Sequence, residues 1–135
     1  MVNEIKRESM RGMNRVMLVG NLGKDPELKQ LADGVSVARV SLATTEVYRD
    51  KAGNKVGNTQ WHVVIFWRSL AQLVAKYLRK GSLIYVEGKL QYRKYRDKEG
   101  VERFVTEIMA NQLLMLDKRV AEVEADEAED DTMPF

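Results

Sequence analysis

The stretch TQWHVVIFWRSLAQLVAKYLRKGSLIYVEGKL, residues 59–90, decides the fold. Its first part is dense in β-branched and aromatic residues. Period two sets Trp61, Val63, Ile65 and Trp67 on one face against His62, Val64 and Phe66 on the other, so neither face of this strand is freely wet. The period then changes. SLAQLVAKYLRKG repeats apolar residues at Leu70, Leu73, Val74, Tyr77 and Leu78, opens on Ser69 as a capping candidate and closes on Arg79, Lys80 and Gly81. That pattern predicts one amphipathic helix of about three turns. SLIYVEGKL returns to strand composition, giving strand, helix, strand.

On the N-terminal side, MNRVMLVGNLGKDPEL supplies a strand at about 13–20 that stops at Gly20, Gly23 and Pro26. VSVARVSLATTEVY alternates for much of its length and predicts a long strand, Val35 to Tyr48, bent or bulged in the middle. RDKAGNKVGN reads as a flexible basic loop. On the C-terminal side, SLIYVEGKLQYRKYR and VERFVTEIMANQLLML are two more strands, with Asp97 to Gly100 composed as a hairpin connection. The order is β-β-β-α-β-β. Five strands with one helix between the third and fourth is the layout of an all-β OB-fold, a small Greek-key barrel whose strands and loops commonly bind oligonucleotides.

At 135 residues the chain holds one domain with appendages: an N-terminal extension over 1–12, the barrel over 13–117 and a tail over 118–135. The polar start MVNEIKRES has no signal-peptide pattern, and no run of 18 apolar residues occurs, so the expectation is a soluble cytoplasmic protein without membrane contact. The biological start could equally be Met10 or Met13. Zero cysteines exclude disulfides, thiolate metal sites and cysteine nucleophiles. The formal net charge of +2 conceals a division. Residues 118–135 carry two basic and seven acidic groups, a balance of −5, whereas residues 1–117 carry 20 basic against 13 acidic, a balance of +7. A basic body joined to an acidic tail suits a polyanion partner for the body, although each could be only a solvated surface.

The body interleaves aromatic rings with cations. Tyr48 adjoins Arg49 and Lys51, Trp67 adjoins Arg68, and Tyr92 and Tyr95 alternate with Arg93, Lys94 and Arg96. Single strands are held without sequence preference by this combination, bases stacking on rings and phosphates meeting cations. Tyr92 and Tyr95 differ in parity, so at most one lines a shared groove, and Tyr95 is the choice. The bland readings stand beside these. A lone strand tryptophan such as Trp61 is often a core residue, and Arg68, Arg96 and Lys98 suit solvated edges. His62, the sole histidine, has no metal-ligand neighbours and reads as a core or subunit-contact residue.

From Met13 to about Leu116 the chain resembles bacterial-type single-stranded DNA-binding proteins. NRVMLVGNLGKDPEL, VARVSLATTE followed by YRDKAG, QWHVVIF, LVAKYLRKGSLIYVEGKL and the terminal DDTMPF are similar to that family's segments in the same order. The resemblance implies base stacking by Tyr48, Trp61, Trp67 and Tyr95, and phosphate contacts at or near Arg15, Arg49, Lys51, Lys80, Arg93 and Lys94. The positions of Tyr48 and Tyr95 often hold Trp in the family, and that of Trp67 is more usually Phe. Each replacement keeps an aromatic face. A homotetramer around which a single strand wraps is also implied, along with work in replication, recombination and repair.

The tail ends EADEAEDDTMPF. In the family such a terminus docks onto replication, recombination and repair enzymes, which assigns partner binding to Asp130, Asp131, Met133, Pro134 and Phe135. Phe135 can fill an apolar pocket while carboxylates meet basic residues on its rim. The same carboxylates can compete with DNA for the cationic groove. Many members have a long linker rich in Gly, Gln and Pro, whereas here a short acidic, Ala-rich segment intervenes. Other functions fit poorly. GNLG follows a strand rather than lying between helices, as a KH motif would. No Walker A sequence, G-x-G-x-x-G or triad-like arrangement occurs, so the expectation is a binding protein without catalysis, cofactor or metal. An RNA-binding OB module and an OB adaptor acting by protein contacts alone are the alternatives.

Overall fold

A computed structural model describes residues 11–117. Strand alternation and one change of period produce seven elements: β1 (Val16–Leu22), β2 (Glu27–Gln30), β3 (Ser36–Arg49), β4 (Lys55–Trp67), α1 (Ser69–Tyr77), β5 (Leu83–Arg96) and β6 (Glu102–Met115). β1 pairs antiparallel with β5, β5 antiparallel with β6, β6 parallel with β4, β4 antiparallel with β3, and β3 returns to β1 at Leu42 and Ala43. Five strands thus close a barrel, and a helix lies between β4 and β5, as the OB layout requires.

The inward-facing set of each strand fills the interior. Val40 and Leu42 of β3, Val64 and Phe66 of β4, and Ile84 and Val86 of β5 are all fully buried. α1 covers one end with Ala71 and Val74, and Leu78 follows them into the core. The helix begins differently from expectation. Ser69 is its first residue rather than its cap. The N-cap is Arg68, at φ 58° and ψ −123°, with no side-chain cap bond. Its N–H donates to the Ser36 carbonyl at 2.8 Å, which ties the strand-to-helix junction to β3.

Three further differences have physical causes. β2 is a short strand pairing Glu27–Gln30 with Ser36–Arg39, and with its one apolar residue, Leu28, exposed like the rest it gives no periodic signal. The bulge falls in the β5–β6 ladder, where Asn111 of β6 is the extra residue opposite Glu87/Gly88, while the β3–β4 register runs unbroken from Val37↔Trp67 to Arg49↔Lys55. Half of the basic loop is strand, because one Asp side chain closes a short turn over residues 50–54. Asp50 Oδ1 accepts the N–H groups of Ala52 and Asn54, each at 2.9 Å, and Arg49 Nη1 donates to the Gly53 carbonyl at 2.9 Å.

The β5–β6 hairpin repeats that tip bond for bond. Asp97 Oδ1 accepts the N–H groups of Glu99 and Val101, each at 2.9 Å, and Arg96 Nη1 donates to the Gly100 carbonyl at 3.1 Å. Gly53 and Gly100 occupy φ 86° and 81°, a region that side chains disfavour. The sequence signal is the pair YRDKAG and YRDKEG at residues 48–53 and 95–100. Both hairpins extend beyond the closed barrel, and each tip is preceded by a tyrosine.

Candidate nucleic-acid interface

β4 sets the interface. Its outward face carries Trp61, Val63, Ile65 and Trp67, which lie opposite Ala43, Ser41, Arg39 and Val37 of β3. Trp61 is 63% exposed and Trp67 38%, while Ile65 between them is buried. Six residues of strand separate the two indoles by roughly 20 Å. Trp61 lies close against the β1–β2 loop, where a Cβ added at Gly23 would overlap the indole ring. Only glycine leaves the ring that position.

The β5–β6 hairpin forms the opposite wall of a cleft of about 670 Å³ beside Ile65. Arg93 and Tyr95 share a parity that brings both into this cleft with Val105 and Glu107, and Tyr95 keeps 43% of its surface exposed. The Arg93 guanidinium lies 5.9 Å from the Tyr95 ring centroid. Arg93 is also engaged with Glu107, Nε to Oε1 at 3.2 Å and Nη2 to Oε2 at 2.8 Å. Tyr92 and Lys94 have the other parity. Lys94 Nζ stands 5.7 Å from the Phe104 ring there, so Arg93 and Lys94 belong to opposite faces of one hairpin.

The remaining expected residues spread around the barrel. Arg49 and Lys51 sit at the β3–β4 tip, where Arg49 braces the turn and Lys51 is exposed. Tyr48 lies opposite Val56 and has the opposite strand parity to Trp61 and Trp67. The Lys80 N–H donates to Asp25 Oδ1 at 2.8 Å, which fastens the post-helix turn to the β1–β2 loop. Arg15 is paired with Glu87, whose other oxygen accepts the Tyr85 hydroxyl at 2.7 Å. The Tyr85 and Arg15 bonds hold the Glu87 carboxyl below the ordinary carboxylate range. His62 is half-buried, with Nε2 at 2.9 Å from Thr44 Oγ1 on β3. Asp130, Asp131, Met133, Pro134 and Phe135 lie outside the described residues, as do the first ten residues of the N-terminal extension.

One face therefore gathers Trp61, Trp67, Tyr95 and Arg93. It also carries two cations absent from the sequence reading, Lys29 and Arg39. Arg39 lies on a strand that the sequence predicts, but its place beside the cleft depends on β2, which carries no periodic signal. Among the described residues no cluster of His, Cys, Asp or Glu could hold a metal ion, and no helix is long and apolar enough to cross a membrane. The surface offers rings, an apolar floor and positive charge, a chemistry suited to stacking bases and neutralising phosphates.

Known proteins match the same region. The model of the "Single-strand binding protein family" covers residues 13–116. A "Single-stranded DNA-binding protein" of Xanthomonas campestris is 50% identical over 109 residues, which is 81% of this chain and 63% of that protein. "Single-stranded DNA-binding protein 1" of Xylella fastidiosa is 48% identical over 111 residues, 82% of each chain. The solved "Plasmodium falciparum SSB complex with ssDNA" superimposes with a TM-score of 0.72 at 35% identity, covering 81% of this chain and 99% of that one. This chain spans about three fifths of the length of the Xanthomonas relatives it matches. With the family model covering the whole barrel and relatives half identical across it, the chain belongs to the single-strand binding protein family.

Proposed function

We propose that this protein binds single-stranded DNA without strong sequence preference, coating and protecting it during replication, recombination and repair. The observation that carries this reading is the common outward face of Trp61, Trp67 and Tyr95, with positive charge along it. Each exposed ring can stack a base, and stacking is worth about 1–3 kcal/mol per base whatever the sequence. Membership of the family and the resemblance to a structure holding single-stranded DNA support the same partner. Tyr48, Arg15, Arg49, Lys51, Lys80 and Lys94 extend the contact surface in this proposal, each through its ring or its charge.

The acidic terminus recruits partner enzymes in the same proposal, Phe135 and Met133 entering an apolar pocket and Asp130 and Asp131 meeting its basic rim. Removing Met133, Pro134 and Phe135 abolishes enzyme capture and leaves DNA affinity intact if this is right. Assembly into a homotetramer is supported by a surface of β1, β5 and β6. Val19, Tyr85 and Leu114 form a row across these three strands, with Val19 and Leu114 about half exposed and Met17 exposed beside them.

Tryptophan fluorescence during titration with equal lengths of single-stranded DNA, duplex DNA and RNA, at two salt concentrations, tests the central reading. Strong quenching by single-stranded DNA, weaker binding of the other two and a clear salt effect are expected. First preference for RNA would make this an RNA-binding module. No response to any of the three would leave an adaptor.

A further inference from the structure

The charges in the cleft between β2, β3 and the β5–β6 hairpin are not equivalent. Glu107 is matched at two points by Arg93. Glu27 is matched by Lys24, Nζ to Oε2 at 3.0 Å, and this bond, helped by nearby Arg39 and Lys29, holds the Glu27 carboxyl below its ordinary range. Two cations are left over. Among the described residues the side chains of Arg39 and Lys29 make no hydrogen bond or ion pair.

Their positions are fixed by register. Arg39 stands between Glu27 of β2 and Ile65 of β4, and Lys29 is opposite Val37, whose other neighbour is Trp67. Val37, Ile65 and Val105 form an apolar floor, and Tyr95 lines the same cleft. A guanidinium with no hydrogen-bond partner among the described residues, set beside an aromatic ring and an apolar floor, can hold a phosphodiester at two points while the attached base covers the floor. Binding strength from phosphates comes from counterions released, and a cation already neutralised by a carboxylate has little to release. This separates Arg39 and Lys29 from Arg93.

We propose that the cleft is a nucleotide seat in which Arg39 and Lys29 hold the phosphates of a single DNA strand, with Arg93 acting as a positioning residue that braces Tyr95 and Glu107. The inference rests on the single-stranded DNA reading above. It adds two contact residues and reassigns one.

The test is fluorescence anisotropy of a labelled oligothymidylate at several salt concentrations, using the full chain and the variants Arg39→Gln, Arg39→Lys, Lys29→Gln and Arg93→Gln, each with a thermal melt. Arg39→Gln and Lys29→Gln should each flatten the slope of log K against log salt by about 0.7, the value for one phosphate contact on a single strand, without lowering the melting temperature. Arg39→Lys keeps the charge and the slope. Arg93→Gln lowers the melting temperature and leaves the slope close to wild type. Wild-type slopes in both Arg39→Gln and Lys29→Gln would overturn the inference while the single-strand reading stood. A wild-type protein that failed to bind the oligonucleotide would overturn both.

Discussion

Arg93 grips Glu107 with two nitrogens across the β5–β6 ladder, and the two ends of this pair live in different solvents: the Glu107 side chain is 5% exposed and that of Arg93 50%. A carboxylate so deeply buried requires a cation, because desolvation otherwise penalises its charge heavily. Arg93→Gln should therefore destabilise the fold by about 1–3 kcal/mol, below the cost of breaking a fully buried pair because half the guanidinium is already in water. Arg93→Gln/Glu107→Gln should recover much of that loss, since no charge is then left alone. Urea denaturation of the wild type, both single variants and the double variant measures the coupling. Strict additivity would show that the contact contributes nothing.

Arg68 occupies φ 58° and ψ −123° at the β4–α1 junction, held there by its N–H bond to Ser36. This conformation is easy for glycine and costs other residues about 1–3 kcal/mol. Arg68→Gly should raise stability by about 1 kcal/mol, after the extra chain entropy of glycine is offset. Arg68→Ala retains Cβ and should give no such gain. Calorimetric melting points of the two variants against wild type make the comparison, and equal effects would place the cost elsewhere.

Much of the barrel was legible because its signals are periodic. Val40, Leu42, Val64, Phe66 and Val74 follow strand and helix spacing into the core. The absence of a Ser69 cap was illegible, because the cap is set by a backbone angle at Arg68 that no composition rule marks. β2 gives no signal because its one apolar residue, Leu28, is exposed along with Glu27, Lys29 and Gln30, and without β2 the cleft position of Arg39 cannot be read. Parity places Tyr95 and Tyr92 on opposite faces, and the paired hairpin keeps them there, since a two-residue repeat survives in a regular ladder. It could not reveal which cations are already matched. Glu107 lies fourteen residues from Arg93 and Glu87 seventy-two from Arg15, distances that only the folded register closes.

The β5–β6 tip carries a pH dependence. The Arg103 bond and the N–H groups of Val101 and Glu99 hold the Asp97 carboxyl below its ordinary range. A group whose pKa is lower folded than unfolded stabilises the fold fully above the unfolded value, about 3.9 for Asp, and that contribution disappears as pH falls through the folded value. Asp97→Asn keeps an acceptor for the turn amides and removes the charge that meets Arg103 at 3.0 Å. The wild type should melt higher than Asp97→Asn by a constant margin from pH 7 to about pH 5, and the margin should close below about pH 4. A margin still intact at pH 2 would assign the effect to side-chain shape rather than charge.

Gly23 and Trp61 make a prediction that separates position from presence. The indole rests where any side chain at residue 23 would stand, so Gly23→Ala displaces the ring without deleting it. Trp61 is mostly exposed, and Gly23 already donates its N–H to the Ser41 carbonyl at 2.9 Å, so the loop can stay in place while the indole moves. Gly23→Ala should shift the tryptophan emission of the free protein and weaken single-stranded DNA binding, with the salt slope unchanged because no cation is touched. Trp61→Ala should weaken binding by about 1–3 kcal/mol, again at constant slope, and combining the two changes should cost no more than Trp61→Ala alone. Titrations of the three variants across salt concentrations supply the measurement. A further loss in the double variant would mean that Gly23 serves the DNA directly, through close approach of the β1–β2 loop, instead of through the placement of Trp61.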